Sequence, residues 1–171
     1  MDEEHFNALF AAQFPDVWRF ARRRTVSGSD ADDVTAETFA VAWRRRASIP
    51  VPDARLWLFG VARNVLANHR REGQRRERLH LRLVSTDAPA AVEPPGTHDE
   101  LWAALAALGE DDRELLLMRA WDGLSAGEIA TVLGVPAATV SSRLYKARAK
   151  LDRELQHRTG EPALDEGRRH A

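Results

Sequence analysis

The stretch Leu124-Ser125-Ala126-Gly127-Glu128-Ile129-Ala130 decides the fold of the C-terminal half of this chain. Ser125 and Glu128 form the sequence signature of a capping box, in which each side chain bonds the backbone of the other residue. A helix is therefore predicted to begin here, with Ile129 and Ala130 on its buried face.

A tight turn and a second helix follow. Gly134 can adopt the left-handed backbone that ends a helix, and Pro136 can open the next helix without losing a needed donor. One face of the second helix is apolar, and it consists of Val140, Leu144, Ala147 and Leu151. This pattern predicts a DNA-reading helix-turn-helix, with an ordinary helical hairpin bearing a solvated basic face as the alternative.

The opposite face of the second helix is predicted to contact duplex DNA. Its small residues allow close approach to a groove, Ser142 and Lys146 can bond base edges or phosphate, and flanking basic side chains can clamp the backbone. The predicted contacts are Thr139, Ser141, Ser142, Arg143, Tyr145, Lys146, Arg148 and Lys150.

Helical patterns also fill most of the remaining chain, because Ala, Leu, Arg and Glu dominate it and apolar residues recur at spacings of three and four. The predicted fold class is all-α, with two small helical domains. Pro15 is predicted to interrupt or restart the first helix, Ser29 to cap a second one and Asp53 to open a third.

A Pro-rich acidic stretch without apolar periodicity separates the two halves. We predict a first domain over residues 1–82, a flexible acidic linker over 83–98, a helix-turn-helix domain over 99–158 and a disordered tail over 159–171.

Charge is sorted along the chain although the formal net charge is only -1. Residues 44–82 carry eleven arginines against three acidic residues, whereas residues 83–112 carry seven acidic residues and no Lys or Arg. A basic block of this kind is the electrostatic footprint of phosphate contact, with a solvated helix face as the alternative.

Several function classes are disfavoured. The chain has no cysteine, which excludes a disulfide framework and a cysteine nucleophile. The six histidines are scattered and no Gly-rich phosphate loop is present, so we expect no enzyme, no cofactor and no metal. An acidic N-terminus and the lack of a long apolar run predict a cytoplasmic protein without membrane insertion.

A stripe on the predicted third helix is unusual for a core. It consists of Trp57, Val61, Asn64, Asn68 and Arg71, at spacings of four, three, four and three. Asn is a poor helix former, yet beside Trp and Arg it is suited to stacking on unpaired bases and bonding their edges. The alternative is a pair of asparagines that bond neighbouring helices.

The segments Asp122-Gly123-Leu124-Ser125, Leu133-Gly134-Val135-Pro136 and Thr139–Arg148 closely resemble the fourth conserved region of sigma factors of the extracytoplasmic-function group. In that family this helix-turn-helix reads the upstream, minus 35 promoter element. The segment Trp57–Asn64 resembles the part of the second conserved region that melts and captures the minus 10 strand. The resemblance implies minus 10 contacts from Trp57, Arg63, Asn64, Asn68, Arg70, Arg71, Arg75 and Arg76.

Residues 30–43 resemble the segment of the second region that docks on the clamp coiled coil of RNA polymerase. The implied polymerase-binding residues are Asp30, Asp32, Asp33, Glu37, Thr38, Phe39 and Trp43. From the residues alone, these acids would stabilise a helix N-terminus and the aromatic rings would pack in a core.

The resemblance thus implies a sigma factor that binds core RNA polymerase at its clamp coiled coil and flap and directs initiation at chosen promoters. It also implies restraint by an anti-sigma factor. The alternative is an autonomous helix-turn-helix regulator, which would need an effector pocket or a dimer seam in the N-terminal half.

Overall fold

The computed structural model describes residues 1–81 and 99–159, and every regular element within these ranges is a helix. The α-helices are α1 (Glu3–Arg22), α2 (Gly28–Arg44), α3 (Ala54–Leu81), α4 (Asp99–Ala107), α5 (Glu110–Ala120), α6 (Ala126–Leu133) and α7 (Ala137–Thr159), with a short 3-10 turn at Arg46–Ser48. The predicted all-α fold class is confirmed.

The chain divides into two compact units, Met1–Glu93 and Pro94–Ala171, which are called here the first and the second unit. The predicted boundaries at residues 82 and 98 stay predictions. The proposed linker (83–98) and all but the first residue of the proposed tail (159–171) lie outside the described residues.

The first unit is a three-helix arrangement with an aromatic centre. Phe20 of α1 stacks on Phe59 of α3 with ring centroids 4.7 Å apart, and both rings are essentially fully buried. The guanidinium of Arg24 lies over the Phe20 ring and that of Arg55 over the Phe59 ring, at 3.5 and 4.8 Å. The stacked pair is therefore flanked by a cation on each ring, which adds a favourable cation–π term.

An ion-pair cluster joins α1 to the start of α3. Asp16 accepts hydrogen bonds from Arg19 at 2.5 Å and from Arg55 at 2.9 Å. Partial burial acts to raise the pKa of Asp16, but the hydrogen bonds from these two guanidinium groups outweigh it, so the pKa lies below its usual value. Asp16 is therefore charged at neutral pH and helps to hold α3 against α1.

The prediction that Pro15 interrupts the first helix is wrong, because α1 continues through it from Glu3 to Arg22. Proline removes one backbone hydrogen bond, to the carbonyl of Ala11, and Ala11 is exposed so that water can replace the bond. Side chains on both sides of the proline, Phe6 and Phe20 among them, are buried, and this packing holds the helix together.

The predicted cap of the second helix is also wrong. Ser27, not Ser29, caps α2: its hydroxyl accepts from the Asp30 backbone at 3.0 Å, and the Asp30 carboxylate accepts from the Ser27 backbone at 3.2 Å. Ser29 has an acid at the same spacing, Asp32, but the Asp32 carboxylate accepts a hydrogen bond from the indole nitrogen of Trp18. The Asp30 carboxylate instead bonds Ser27. Ser29 lies inside the helix and is exposed.

The second unit contains the predicted helix-turn-helix. The capping box at the start of α6 is present, with bonds of 2.8 and 3.2 Å between Ser125 and Glu128. Gly134 ends α6 in the left-handed conformation, with φ of 66°, and α7 begins at Ala137. These local features are confirmed.

The core of the second unit holds α7 in place. Leu105, Leu108, Leu116 and Ala147 form one buried cluster, against which Leu101, Trp102, Trp121 and Leu151 pack. Ile129 of α6 and Val140 of α7 are fully buried as well. Among the described residues, α4, α5 and α6 cover one side of α7, and the residues of its other side are exposed.

Within the described ranges, no helix combines the length and the apolar character that crossing a membrane requires.

Candidate nucleic-acid interface

Helix α7 presents the face that the sequence predicts. Val140, Leu144 and Ala147 are buried. Seven of the eight predicted duplex contacts are exposed, namely Thr139, Ser141, Ser142, Tyr145, Lys146, Arg148 and Lys150, while Arg143 is half-buried at the edge. Tyr145 is 77% exposed, which is a high value for an aromatic side chain. A partner that covers this face would bury it.

Two cations of this face are already paired within the protein. Arg143 bonds the carboxylate of Asp111 at 3.2 Å, and Lys150 bonds the carboxylate of Asp112. Both acids lie in the first turn of α5, where their negative charge also interacts favourably with the positive end of the helix dipole. Sequence reasoning missed these partners, because 32 and 38 residues separate the members of the pairs and no local spacing connects them.

Helix α3 separates a buried from an exposed face. Leu58, Phe59, Ala62, Val65 and Leu66 face the core. On the other side, Asn64, Asn68, Arg71 and Arg75 are exposed, and Trp57, Arg63 and Arg70 are half-buried. The side chain of Arg76 lies outside the described residues.

Among the residues that the structure describes, neither asparagine bonds a neighbouring helix, which the alternative interpretation requires. Asn68 accepts a hydrogen bond at 2.7 Å from Arg71 of its own helix, and Arg71 also donates to the carbonyl of Ala67 at 3.2 Å. Asn64 is exposed on the same face. The helix therefore displays amide, guanidinium and indole groups together, which are the groups that stack on unpaired bases and bond their edges.

The predicted polymerase-binding residues of α2 divide into three groups. Asp33, Glu37 and Trp43 are exposed, whereas Thr38 and Phe39 are buried. The hydroxyl of Thr38 donates to the carbonyl of Val34 at 2.7 Å, so this side chain supports the helix from inside. Asp30 belongs to the capping box of α2.

Asp32 is exposed and is held by a neighbouring helix. Its carboxylate accepts a hydrogen bond at 2.8 Å from the indole nitrogen of Trp18 in α1. The bond fixes the direction of one carboxylate on an otherwise solvated face.

Aromatic rings line the seam between α1 and α2, and we call this set the aromatic seam. Phe10 contacts Phe39 with ring centroids 4.6 Å apart, and Phe6 contacts Trp43 at 5.0 Å. Phe10, Phe14 and Trp43 are 40%, 39% and 38% exposed, so about two-fifths of each ring faces solvent. Phe10 and Phe14 were missed as candidate contacts, although Phe6, Phe10 and Phe14 follow one another at intervals of four residues, which places them on one stripe of the helix.

Comparisons with known proteins agree on both units. The family model described as Sigma-70 region 2 matches residues 9–76, and that of Sigma-70, region 4 matches residues 98–151. The chain is 35% identical over 160 residues to the ECF RNA polymerase sigma factor SigL of Mycobacterium tuberculosis, covering 87% of this chain and 88% of SigL. It is 30% identical over 164 residues to the RNA polymerase sigma factor CnrH of Cupriavidus metallidurans, covering 88% and 86%.

Solved structures are similar as well. The sigma factor RpoE from Bartonella quintana, solved in complex with the anti-sigma factor NepR, aligns with a TM-score of 0.71 at 25% identity over 90% of this chain and 98% of that one. CnrH in complex with the cytosolic domain of CnrY aligns with a TM-score of 0.65 at 29% identity over 91% and 90%.

Proposed function

Because the chain belongs to the extracytoplasmic-function group of the sigma-70 family, it directs promoter-specific transcription by RNA polymerase, and we propose which residues carry each step. Three separate faces are assigned: the α2 surface to the polymerase, the α3 stripe to the melted minus 10 strand and the α7 face to the minus 35 duplex. The observation that carries this division is the exposed Asn64 and Asn68 stripe on α3. An independent duplex-binding regulator would have little use for it.

The polymerase-docking surface combines charge with exposed rings. Asp32, Asp33 and Glu37 supply carboxylates, and Trp43 of the aromatic seam supplies an exposed apolar ring in the last turn of the same helix. Buried Thr38 and Phe39 act indirectly by fixing the helix that carries these groups. We include Phe10 and Phe14 in this surface. Their rings are partly exposed next to the charged docking helix, and a partner that binds there could bury them.

The α3 face holds unpaired bases. Trp57 offers a stacking surface, Asn64 and Asn68 offer donors and acceptors to base edges, and Arg71 and Arg75 offer phosphate contacts. Flipping a base out of a duplex costs a few kcal/mol, so the contacts that capture it have to supply a comparable free energy.

The α7 face reads the upstream duplex. Lys146→Ala should weaken the contact with the minus 35 element by about 1 to 3 kcal/mol if this lysine bonds a base edge. The measurement is holoenzyme binding to promoter fragments with single substitutions in that element. Arg158→Ala is the matched control, because this exposed cation lies on the same helix about 18 Å further along its axis. If the Lys146→Ala variant keeps the affinity and the base preference of the unmodified chain, Lys146 is a solvated surface lysine that does not contact the minus 35 element.

Partners and setting follow from the family. Members are regulators of initiation and not enzymes, and we propose that this chain has no catalytic activity and acts in the cytoplasm, where the polymerase and the promoters are. The similar sigma factor RpoE was solved with an anti-sigma factor. We propose that this chain is held by such a protein too.

The proposed function is tested by in vitro transcription with purified core RNA polymerase, with and without the chain, on sheared DNA from its own source. New 5′ ends that share two spaced upstream motifs are expected. The absence of new start sites, together with tight duplex binding by the chain alone, would instead support the autonomous regulator.

A further inference from the structure

The ion pairs between α5 and α7 have a consequence for DNA binding. We propose that Asp111 and Asp112 are intramolecular counter-ions that compete with DNA phosphates for Arg143 and Lys150, and so lower the affinity of the second unit for any duplex. The inference rests on the proposed function of α7 as the helix that binds the upstream duplex.

The chemistry of the two pairs is that of a phosphate contact. A carboxylate oxygen lies 3.2 Å from the guanidinium of Arg143, and a second one bonds the ammonium of Lys150. Carboxylate and phosphate oxygens both form charge-assisted hydrogen bonds with these cations. A phosphate that approaches either side chain therefore has to displace or share an oxygen already in contact.

The acids are held in place by the fold. Leu115, Leu116, Leu117 and Met118 of α5 are buried, so the helix cannot move away from its packed position without opening the core. Asp112 is the more enclosed of the two, with 18% of its side chain exposed. Both carboxylates also lie in the first turn of α5, where the positive end of the helix interacts favourably with negative charge.

The cations remain within reach of another anion. The Arg143 side chain is 42% exposed and that of Lys150 is 50% exposed. Ion pairs at such exposure are weak and screened by salt, so they reduce phosphate binding without blocking it.

The counter-ions do not pair with the side chains of α7 that are proposed to read bases. Ser142 and Lys146 are exposed next to the paired cations. Because phosphate contacts give affinity without sequence information, the counter-ions lower binding to every duplex equally and leave base discrimination intact. A sigma factor that binds duplex DNA weakly outside the polymerase complex benefits from this arrangement.

The test is the affinity of the full chain for a labelled duplex of random sequence, measured by fluorescence anisotropy at several salt concentrations. Asp111→Asn/Asp112→Asn removes both charges at nearly constant shape. We expect binding to tighten by roughly 2- to 30-fold, the range that follows from two exposed ion pairs. Asp111→Asn alone should give part of the gain.

A matched control separates the pairs from net charge. Glu100→Gln/Asp152→Asn changes the net charge by the same amount at two exposed carboxylates of the same unit. This control should leave duplex affinity close to that of the unmodified chain. An equal gain in the control would overturn the inference, because net charge alone would then explain it.

A double-mutant cycle separates this inference from the proposed function. Arg143→Ala/Lys150→Ala should weaken binding more in the Asp111→Asn/Asp112→Asn background than in the unmodified chain, and should flatten the salt dependence by about two phosphate contacts. Equal weakening in both backgrounds would overturn the competition and leave the assignment of the two cations standing. No weakening in either background would overturn that assignment itself. A helical circular dichroism spectrum and a cooperative thermal unfolding transition well above the assay temperature confirm that each variant is folded.

Discussion

The Asn64→Ala/Asn68→Ala variant should form open promoter complexes at least about 30-fold less well than the unmodified chain, while its binding to core polymerase is unchanged. Each amide that no longer bonds a captured base costs about 1 to 3 kcal/mol, and two of them together exceed a factor of 30. The loss should be measured as open complexes on a promoter, by permanganate reactivity of the melted thymines. A pre-melted promoter bubble should recover little of it, since capture of the bases is what fails.

The same pair of substitutions cannot act by unfolding α3. Both positions are exposed, and alanine favours a helix interior more than asparagine does, so the helix should become slightly more stable. Asn7→Ala makes the same chemical change at an exposed position of α1 and should leave open complexes at the normal level. Normal melting by the α3 variant would show that the stripe is only a solvated helix face.

The Phe20→Ala variant should lower the free energy of unfolding of the first unit by about 3 to 5 kcal/mol. Phe20 is fully buried, stacks on Phe59 and carries Arg24 over its other face, so its removal leaves a cavity and two unsupported groups. The measurement is chemical denaturation followed by circular dichroism, with the second unit expected to keep its own transition.

Phe14→Ala is the matched comparison, because it makes the same chemical change on the same helix at a ring that is 39% exposed. We expect a loss of no more than about 1 kcal/mol in unfolding free energy and a clear loss of affinity for core polymerase. If the Phe14→Ala variant binds core polymerase normally, Phe14 is not part of the docking surface and only packs against its neighbours in the first unit.

Sequence reasoning succeeded where the deciding atoms lie within one helical turn of each other. The capping box of Ser125 and Glu128 spans three residues, and the left-handed Gly134 needs only its own missing side chain. The exposed stripe on α3 follows from the helical repeat once the buried positions Leu58 and Val65 are recognised.

Two local predictions failed because a longer-range effect decided between similar options. Ser27 and Ser29 each have an aspartate three residues later, and the contact between helices decides between them: Asp32 is bonded to Trp18 of α1, while Asp30 bonds Ser27. Pro15 is a strong helix breaker in isolation, yet α1 passes through it because buried side chains on both sides hold the helix.

The sequence by itself determined the helices, their buried faces, the turn between α6 and α7 and the family to which the chain is similar, because caps, turns and helical periodicity depend on neighbours a few residues away. Only the tertiary structure decided which polar side chains meet: Trp18 with Asp32, Asp16 with Arg55, and Asp111 and Asp112 with Arg143 and Lys150. Those contacts depend on how each helix is rotated and where it packs, and no spacing along the chain encodes either quantity directly.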